Sequence, residues 1–266
     1  MRIDAYLYKN GYSQSRTKAK ELIDEGKVSI DGKVCTKASY EVDENACKIS
    51  VEKSFFDGYV GRGGIKLAFA LEKFGICADG KICVDIGAST GGFTEVLLRS
   101  GAKKVYAVDS GTGQLAEKLK NDERVFSMEN FNARNLDISD IGGKAAEIVV
   151  MDVSFISQKL IYPAIKRIAE KNADIVTLIK PQFEAGREEV GKKGVVRDSE
   201  VHVRVVEEIL DFARTEGLSV LGLDYSPIRG PEGNIEYICH LKNNADLGCT
   251  PDVRAVVSAS HQDLDS

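Results

Sequence analysis

Four short apolar runs constrain this chain more than any other feature: residues 81–87 (KICVDIG), 104–109 (KVYAVD), 147–153 (EIVVMDV) and 174–179 (DIVTLI). Each is nearly continuous rather than alternating, and helical patterns separate them. A strand that is apolar on both faces must be covered on both faces. The runs therefore predict a mainly parallel sheet wound with helices on either side. From residue 63 onward the chain reads as helix 64–75, strand 81–87, helix 92–100, strand 103–109, helix 112–120 and strand 124–129. A short irregular stretch (132–142) leads to strand 146–152, helix 157–171, strand 173–180, helix 198–216, and strands 219–226 and 234–242. The last two strands are joined by Pro-x-x-Gly-Pro-x-Gly-Asn (227–234) without a helix, so they are expected to pair antiparallel. The fold class is α/β, a doubly wound seven-stranded sheet with its last strand antiparallel. The polar segment 244–266 is expected to fray.

The first 58 residues have a different texture. Residues 3–11 read as a short helix ending at Asn10-Gly11, and Ser13 is placed to cap a second helix that stops at Glu25-Gly26. Val28–Ile30, Asp31-Gly32 and Lys33–Cys35 read as strand, turn and strand. Val42 and Lys48–Val51 supply another strand or two. This is a small α+β unit, 1–58, joined by a linker, 59–63, to the larger domain, 64–243. The chain carries a formal net charge of −5, which argues against a nucleic-acid partner. Residues 1–20, however, hold Arg2, Lys9, Arg16, Lys18 and Lys20 against Asp4 alone, while residues 21–60 are acidic on balance. Such polarity hints at an RNA-facing surface.

Composition excludes several classes. With 43% hydrophobic and 29% charged residues, global disorder is ruled out. No apolar run approaches the ~18 residues of a membrane span, and the N-terminus lacks a basic-then-apolar signal, so a soluble cytoplasmic protein is expected. The six cysteines form no Cys-x-x-Cys pair and are expected to be reduced core thiols. Only three histidines exist, and no metal site is expected.

Strand 81–87 runs into Asp85-Ile86-Gly87-Ala88-Ser89-Thr90-Gly91-Gly92-Phe93-Thr94 and then a helix. Glycines after a first strand let a ligand approach the backbone, and the helix start offers free N–H groups. The spacing is not the dinucleotide Gly-x-Gly-x-x-Gly, and no Gly-Lys-Ser/Thr of a P-loop is present. Asp109 ends the next strand, where a carboxylate can take ribose hydroxyls. This stretch resembles motif I of the class I S-adenosylmethionine-dependent methyltransferases, with Ser89 where that family most often has glycine. The resemblance implies S-adenosylmethionine as cofactor, held by Asp85, Gly87, Ser89, Gly91, Gly92, Phe93, Asp109 and Asn130.

Methyl transfer to a hydroxyl needs a base, because the attacking oxygen must lose its proton. Four polar residues lie at or near the carboxyl ends of strands, where doubly wound sheets bind ligands. Lys66 opens the first helix, Asp152 ends EIVVMD, Lys180 ends DIVTLIK, and Glu236 sits on the last strand. The Lys-Asp-Lys-Glu set resembles the tetrad of FtsJ-type ribose 2′-O-methyltransferases. The N-terminal unit resembles the S4 RNA-binding domain through Arg2, Asp4, Leu7, Gly11, Ser15-Arg16, Ala19, Leu22-Ile23, Gly26, Val28, Ile30, Asp31-Gly32, Lys37 and Val42. Joined, the two halves resemble the TlyA family, described both as haemolysins and as rRNA 2′-O-methyltransferases. The resemblance implies Lys180 as base, Asp152 and Glu236 as holders of the lysines, and Lys66 as a positioner of the acceptor ribose. It also implies rRNA in ribosomal subunits as partner, at a cytidine, contacted by Arg2, Lys9, Arg16, Lys18, Lys20 and Arg62. Asp152-Val153-Ser154-Phe155 is not the Asn/Asp-Pro-Pro-Tyr/Phe of amino-methylating enzymes, and no Pro-Cys nucleophile for carbon-5 methylation is present. The charged, glycine-punctuated segment 184–196 reads as a mobile loop with Arg187, Lys192 and Lys193 as further RNA contacts. The alternatives are a non-catalytic RNA-binding assembly factor and a membrane-active haemolysin, the latter opposed by the absence of a span or signal.

Overall fold

The computed structural model describes residues 1–10, 12–13, 16–24, 26–43, 47–51, 59–245 and 248–264, with the side chains of Lys18 and Pro231 also outside that description. Two compact units divide the chain, Met1–Asp57 and Gly58–Ser266.

The first unit contains helices α1 (Ile3–Lys9) and α2 (Arg16–Asp24) and strands β1 (Val28–Ile30), β2 (Lys33–Val34) and β3 (Ile49–Val51). The strands form an antiparallel sheet in the order β2-β1-β3. Ile3 and Leu7 repeat four residues apart on α1, as Ala19 and Ile23 do on α2, and these faces close over Val28, Cys35 and Val42. Asp31 (φ 50°) and Gly32 (φ 80°) are both left-handed, as a two-residue hairpin turn requires. Val42 buries in this core rather than joining a strand; its neighbour Glu41 makes a single bridge to Arg2. Gly11 and Ser15 of the sequence pattern, Glu25, and residues 52–58 lie outside the described residues.

The second unit opens with α3 (Gly63–Phe74), β4 (Ile82–Ile86), α4 (Gly92–Arg99), β5 (Lys104–Val108), α5 (Glu117–Lys120) and β6 (Val125–Met128). It continues with β7 (Ala146–Met151), α6 (Tyr162–Ile168), β8 (Ala169–Ile179), α7 (Pro181–Glu184), α8 (Ser199–Thr215), β9 (Ser219–Tyr225), β10 (Tyr237–Lys242) and α9 (Val253–Leu264). The sheet order is β6-β5-β4-β7-β8-β10-β9. The pairs β6-β5, β5-β4, β4-β7 and β7-β8 are parallel, and β10 runs antiparallel to both β8 and β9. The expected apolar runs fill the centre: Val84, Ile86, Val149, Met151, Ile175 and Ile179 are fully buried. On α8, Val203, Val206, Leu210 and Ala213 recur every three or four residues and bury one face, below an Asp198 cap that accepts the Glu200 N–H at 2.9 Å. Strand order reverses at β4, with β5 on one side and β7 on the other. The carboxyl end of β4 is therefore the crevice in which such sheets bind ligands.

Four expectations need correction. Helix α5 starts at Glu117 rather than 112, because Gly113 is left-handed (φ 70°) and Gly111 is tied back to Asp109. The helix expected over 157–171 is a single 3₁₀ turn, Gln158–Leu160, followed by the short α6; Pro163 sits in the first turn of α6, and Ala169 already pairs with Ala146 in the sheet. Within the tail expected to fray, Val253–Leu264 form helix α9. The Asp252 carboxylate caps α9 by accepting the Ala255 N–H at 3.0 Å, and Val253, Val257 and Ser260 bury one helical stripe. Only Cys35, Cys83 and Cys239 are core thiols, whereas Cys77 and Cys249 are exposed. Burial pushes the Cys83 thiol up to about 12.

Candidate active site

The turn after β4 is built by close approach. Gly87 is left-handed (φ 84°), and a Cβ there would lie 2.4 Å from the Asp152 carbonyl oxygen. Gly91 (φ 95°) packs against α5, where a Cβ would meet Leu119 at 2.2 Å. Gly92 packs on α3, its Cβ position being 2.9 Å from the Gly64 nitrogen. Ser89 occupies a left-handed position (φ 47°), which explains the usual glycine; a non-glycine residue there costs about 1–2 kcal/mol. Its N–H donates to Asp109 Oδ2 at 2.7 Å, and the Gly111 N–H donates to Asp109 Oδ1 at 2.7 Å, so both ends of the carboxylate are oriented by backbone. Phe93 is buried behind the turn. Asn130 is exposed and left-handed after β6, its N–H donating to the Gly111 carbonyl at 2.9 Å.

Asp85 is fully buried beneath this turn. Its Oδ2 accepts the Thr94 hydroxyl at 2.6 Å, and its Oδ1 has no hydrogen-bond partner. Burial pushes the carboxyl up to about 7; the Thr94 hydrogen bond opposes this, and the charges of Asp152 and Asp109 reinforce it. An orphaned buried carboxylate oxygen, an oriented second carboxylate and a glycine cradle fit a cationic ligand that carries hydroxyls. S-adenosylmethionine has both features.

The four tetrad candidates gather at the same edge. Asp152 follows β7, Lys180 follows β8, Lys66 lies in the first turn of α3, and Glu236 immediately precedes β10. Lys180 Nζ lies 2.5 Å from Asp152 Oδ1 and donates to Ser154 Oγ at 3.1 Å. The first contact is one of charge, for Asp152 Oδ1 accepts no hydrogen bond of ordinary geometry. Lys66 and Glu236 form a second ion pair, in which both side chains are buried. The other oxygen, Glu236 Oε1, has no partner, and a Cβ on Gly230 would lie 2.1 Å from it, so only glycine leaves room for the carboxylate. Tyr237 pairs with Ile179, which puts Glu236 opposite Lys180 one step along the two strands. Gly63 closes the group, its Cβ position being 3.7 Å from Asp152 Oδ2.

Sequence reasoning missed the neighbours of Lys180. Phe155 is left-handed (φ 63°) and 91% exposed, and its ring meets Phe183 at 4.9 Å between centroids. Ser154 and Phe183 both touch Lys180. The available signal was the aromatic in each strand-end turn, DVSF and KPQF. The described part of the linker is also engaged. The Val60 N–H donates to Glu95 Oε2 at 2.5 Å, Arg99 lies over the Tyr59 ring, and Glu95 also takes Lys118 and Arg99 at 2.7 Å each. Burial raises the Glu95 carboxyl, but these donors outweigh it and hold it below the usual range. Arg62 is exposed and donates to the Arg229 carbonyl at 3.4 Å.

The segment 184–196, expected to be mobile, is tied at both ends. Arg204 grips Glu189 through both carboxylate oxygens at 2.7 and 2.6 Å, Asn234 Nδ2 donates to the Gly194 carbonyl at 3.0 Å, and His202 Nε2 lies 3.0 Å from the Val196 carbonyl. Arg187, Lys192 and Lys193 point to solvent.

In the first unit, Arg2, Arg16, Lys20 and Lys37 line an open cleft of about 610 Å³ with Asp4 and Thr17. Asp4 is buried and binds Arg2 at 3.1 Å and Arg16 at 2.7 Å. Burial raises its carboxyl, but the two guanidiniums hold it lower than usual. Arg2 and Arg16 are thus oriented by a carboxylate, with half of each side chain still exposed. Lys9 is exposed on the last turn of α1, and the Lys18 side chain lies outside the described residues.

Comparison with known proteins matches residues 59–243 to the FtsJ-like methyltransferase model and residues 1–46 to the S4 domain. The chain belongs to the FtsJ-like methyltransferase family. The 16S/23S rRNA (cytidine-2′-O)-methyltransferase TlyA of Mycobacterium tuberculosis is 45% identical over 245 residues, covering 92% of this chain and 91% of that one. Hemolysin A of Brachyspira hyodysenteriae is 42% identical over 240 residues, covering 90% and 99%. A solved structure of a candidate hemolysin from Streptococcus thermophilus superposes with a TM-score of 0.78 at 41% identity, covering 100% of this chain and 97% of that one. As an FtsJ-like methyltransferase the protein takes its methyl group from S-adenosylmethionine. Among the described residues no helix is long and apolar enough to cross a membrane.

Proposed function

We propose that this FtsJ-like methyltransferase methylates the 2′-hydroxyl of a cytidine ribose in ribosomal RNA within ribosomal subunits, with Lys180 as the base. The observation that carries this reading is the Lys180–Asp152–Ser154 contact set beside the β4 turn, faced by the buried Lys66–Glu236 pair. The cytidine and the rRNA come from what the Mycobacterium tuberculosis relative is named for.

S-adenosylmethionine, when bound, supplies an electrophilic methyl on a sulfonium. The turn shaped by Gly87, Gly91 and Gly92 would receive it, Asp109 would take its hydroxyls, Asp85 would answer its charge, Ser89 and Asn130 would line the rest, and Phe93 would back the turn. Lys180 would take the ribose proton as the hydroxyl oxygen accepts that methyl. Asp152 and Ser154 hold the Lys180 nitrogen in place. Lys66, fixed by Glu236, orients the acceptor ribose. Positioned acid–base groups of this kind contribute about 10²–10⁴-fold, and alignment supplies much of the remainder. The S4 unit grips RNA through Arg2, Lys9, Arg16, Lys18 and Lys20, and Arg62 adds a cation beside the tetrad. RNA helices are held chiefly through phosphates and shape, which suits cations oriented by Asp4. The protein works in the cytoplasm, without stable membrane association.

The test is methyl transfer from labelled S-adenosylmethionine to purified subunits, comparing wild type with Lys180→Ala and mapping the product by alkaline hydrolysis. The expected result is label at an alkali-resistant ribose that falls at least 100-fold in Lys180→Ala. Label at an alkali-sensitive position would mean base methylation.

A further inference from the structure

Glu184 belongs to none of the roles above, yet it is the most heavily engaged carboxylate near Lys180. It ends α7, four residues after Lys180 in the chain. Its Oε2 accepts the Ser157 hydroxyl at 2.6 Å, and its Oε1 accepts the Gln158 N–H at 2.8 Å. Ser157 and Gln158 lie at the far end of the loop that begins with Asp152. Two segments leaving adjacent parallel strands are therefore pinned together along their length. Lys180 meets Asp152 and Ser154, Phe183 meets Phe155, and Glu184 meets Ser157 and Gln158. Gln158 adds a bond from its side chain to the Leu178 carbonyl at 3.5 Å.

The Asp152–Gln158 loop needs such a tether. It carries a non-glycine left-handed residue, Phe155, whose ring is almost wholly exposed. Val153 and Ile156 pack on the core to either side, but the strained and unburied Phe155 between them adds little packing of its own. Two short hydrogen bonds to a partly buried carboxylate supply what packing does not, since bonds to a charged acceptor are the stronger kind. Burial raises the Glu184 carboxyl despite the donors of Ser157 and Gln158, so the group sits where desolvation is felt.

We infer that Glu184 is a positioning residue for methyl transfer, fixing the Asp152–Gln158 loop so that Asp152 and Ser154 hold the Lys180 nitrogen in register with the acceptor. This rests on the reading of Lys180 as base. A misplacement of about 1 Å at a reacting group can cost roughly 100-fold. Glutamine can reproduce the tether without charge. Its Oε1 accepts the Gln158 N–H, and its Nε2 donates to Ser157 Oγ, whose hydroxyl turns to accept.

The experiment measures kcat, the KM for ribosomal subunits and calorimetric S-adenosylmethionine binding for wild type, Glu184→Ala, Glu184→Gln, Ser157→Ala and Lys180→Ala. Glu184→Ala is expected to lower kcat at least tenfold while cofactor stoichiometry stays at one and its Kd stays within twofold. Full stoichiometry shows that the fold persists, so the loss is not one of active molecules. Glu184→Gln is expected to retain a third or more of the wild-type kcat, and Ser157→Ala to fall between the two. Glu184→Ala with a wild-type kcat, while Lys180→Ala is inactive, would overturn the inference alone. Glu184→Gln as slow as Glu184→Ala would also overturn it, because charge and not the tether would then matter. A wild-type rate in Lys180→Ala would instead sink the reading of the base. If Glu184→Ala does not bind cofactor stoichiometrically, the Gln and Ser157→Ala variants decide by the same criteria.

Discussion

Lys66→Ala removes one half of the most deeply buried ion pair in the site. Lys66 is 6% exposed and Glu236 is 0% exposed. Glu236 Oε1 already lacks a partner, and Gly230 crowds it, so the carboxylate cannot swing toward water. Without the ammonium, neither oxygen would be paired. Breaking a buried pair by deleting one member costs about 3–5 kcal/mol, because an uncompensated charge stays inside. In a unit of this size 1 kcal/mol moves the midpoint by about 2–4 °C, so the expected fall is roughly 6–20 °C. The double variant Lys66→Met/Glu236→Leu removes both charges and keeps similar volume, so it should regain most of that loss. With the single variants Lys66→Met and Glu236→Leu closing the cycle, the coupling energy should exceed about 1 kcal/mol. Thermal unfolding by circular dichroism, without added cofactor, reads both numbers, and the subunit assay should find both variants inactive. A Lys66→Ala loss under about 1 kcal/mol, or a double variant no more stable than the single, would refute the reasoning. The pair would then be wet, and Lys66 free to exchange its proton with solvent.

Two further outcomes are expected. Asp85 is an acid whose folded pKa, raised to about 7, lies above its unfolded value near 3.9. The folded state therefore binds its proton more tightly, and this group's contribution to stability is present at low pH and lost as pH rises from about 4 to about 7. Asp85→Asn should consequently gain stability relative to wild type between pH 5 and pH 8, while its S-adenosylmethionine affinity drops tenfold or more; an unchanged difference in midpoint across that range counts against the assignment. Phe155→Ala should leave the melting temperature within a few degrees, because a 91% exposed ring buries almost nothing. On the proposed reading the ring offers a stacking face to a nucleobase, worth about 1–3 kcal/mol, so the KM for subunits should rise tenfold or more; an unchanged KM removes that role.

Much of this arrangement was legible before any coordinates. β4, β5, β7 and β8 could be read because continuous apolar runs have only one comfortable home, a sheet covered on both sides. The turn after β4 could be read because a tight strand-to-helix passage demands glycine at fixed offsets, and Gly87 and Gly91 are both left-handed there. α9 could not, because its fully buried stripe is only Val253, Val257 and Ser260, flanked by polar residues at both ends of the segment. What anchors it is the Asp252 cap and a surface on α8 and β9 that exists only after folding. Helix 157–171 failed for a similar reason: pairing of Ala169 with Ala146 overrides the helical propensity of the residues around it. Phe155 and Glu184 escaped notice because their meaning is relational. One is an aromatic denied burial, the other a carboxylate whose two partners lie on a loop 26 and 27 residues earlier in the chain.

The two lysines of the site are not equivalent, and their carboxylates say why. Both ammonium groups are nearly shielded, Lys66 with a side chain 7% exposed and Lys180 with one 8% exposed. Glu236 is 0% exposed, whereas the Asp152 side chain is 19% exposed. A base must take one proton per turnover and then return it to solvent. Behind Lys66 there is a closed carboxylate, crowded by Gly230, that offers no route to water. Behind Lys180 there is an open one, with the Ser154 hydroxyl as a second polar neighbour. Burial of a charge pair favours a fixed ion pair, and partial exposure permits exchange. On the proposed reading, therefore, Lys66 serves as a fixed cation and Lys180 as the group that cycles. Exchanging the environments would exchange the roles: a substitution that opens Glu236 to water without breaking its pair should give Lys66 a proton route and, since Lys66 orients the same ribose, restore part of the activity lost in Lys180→Ala.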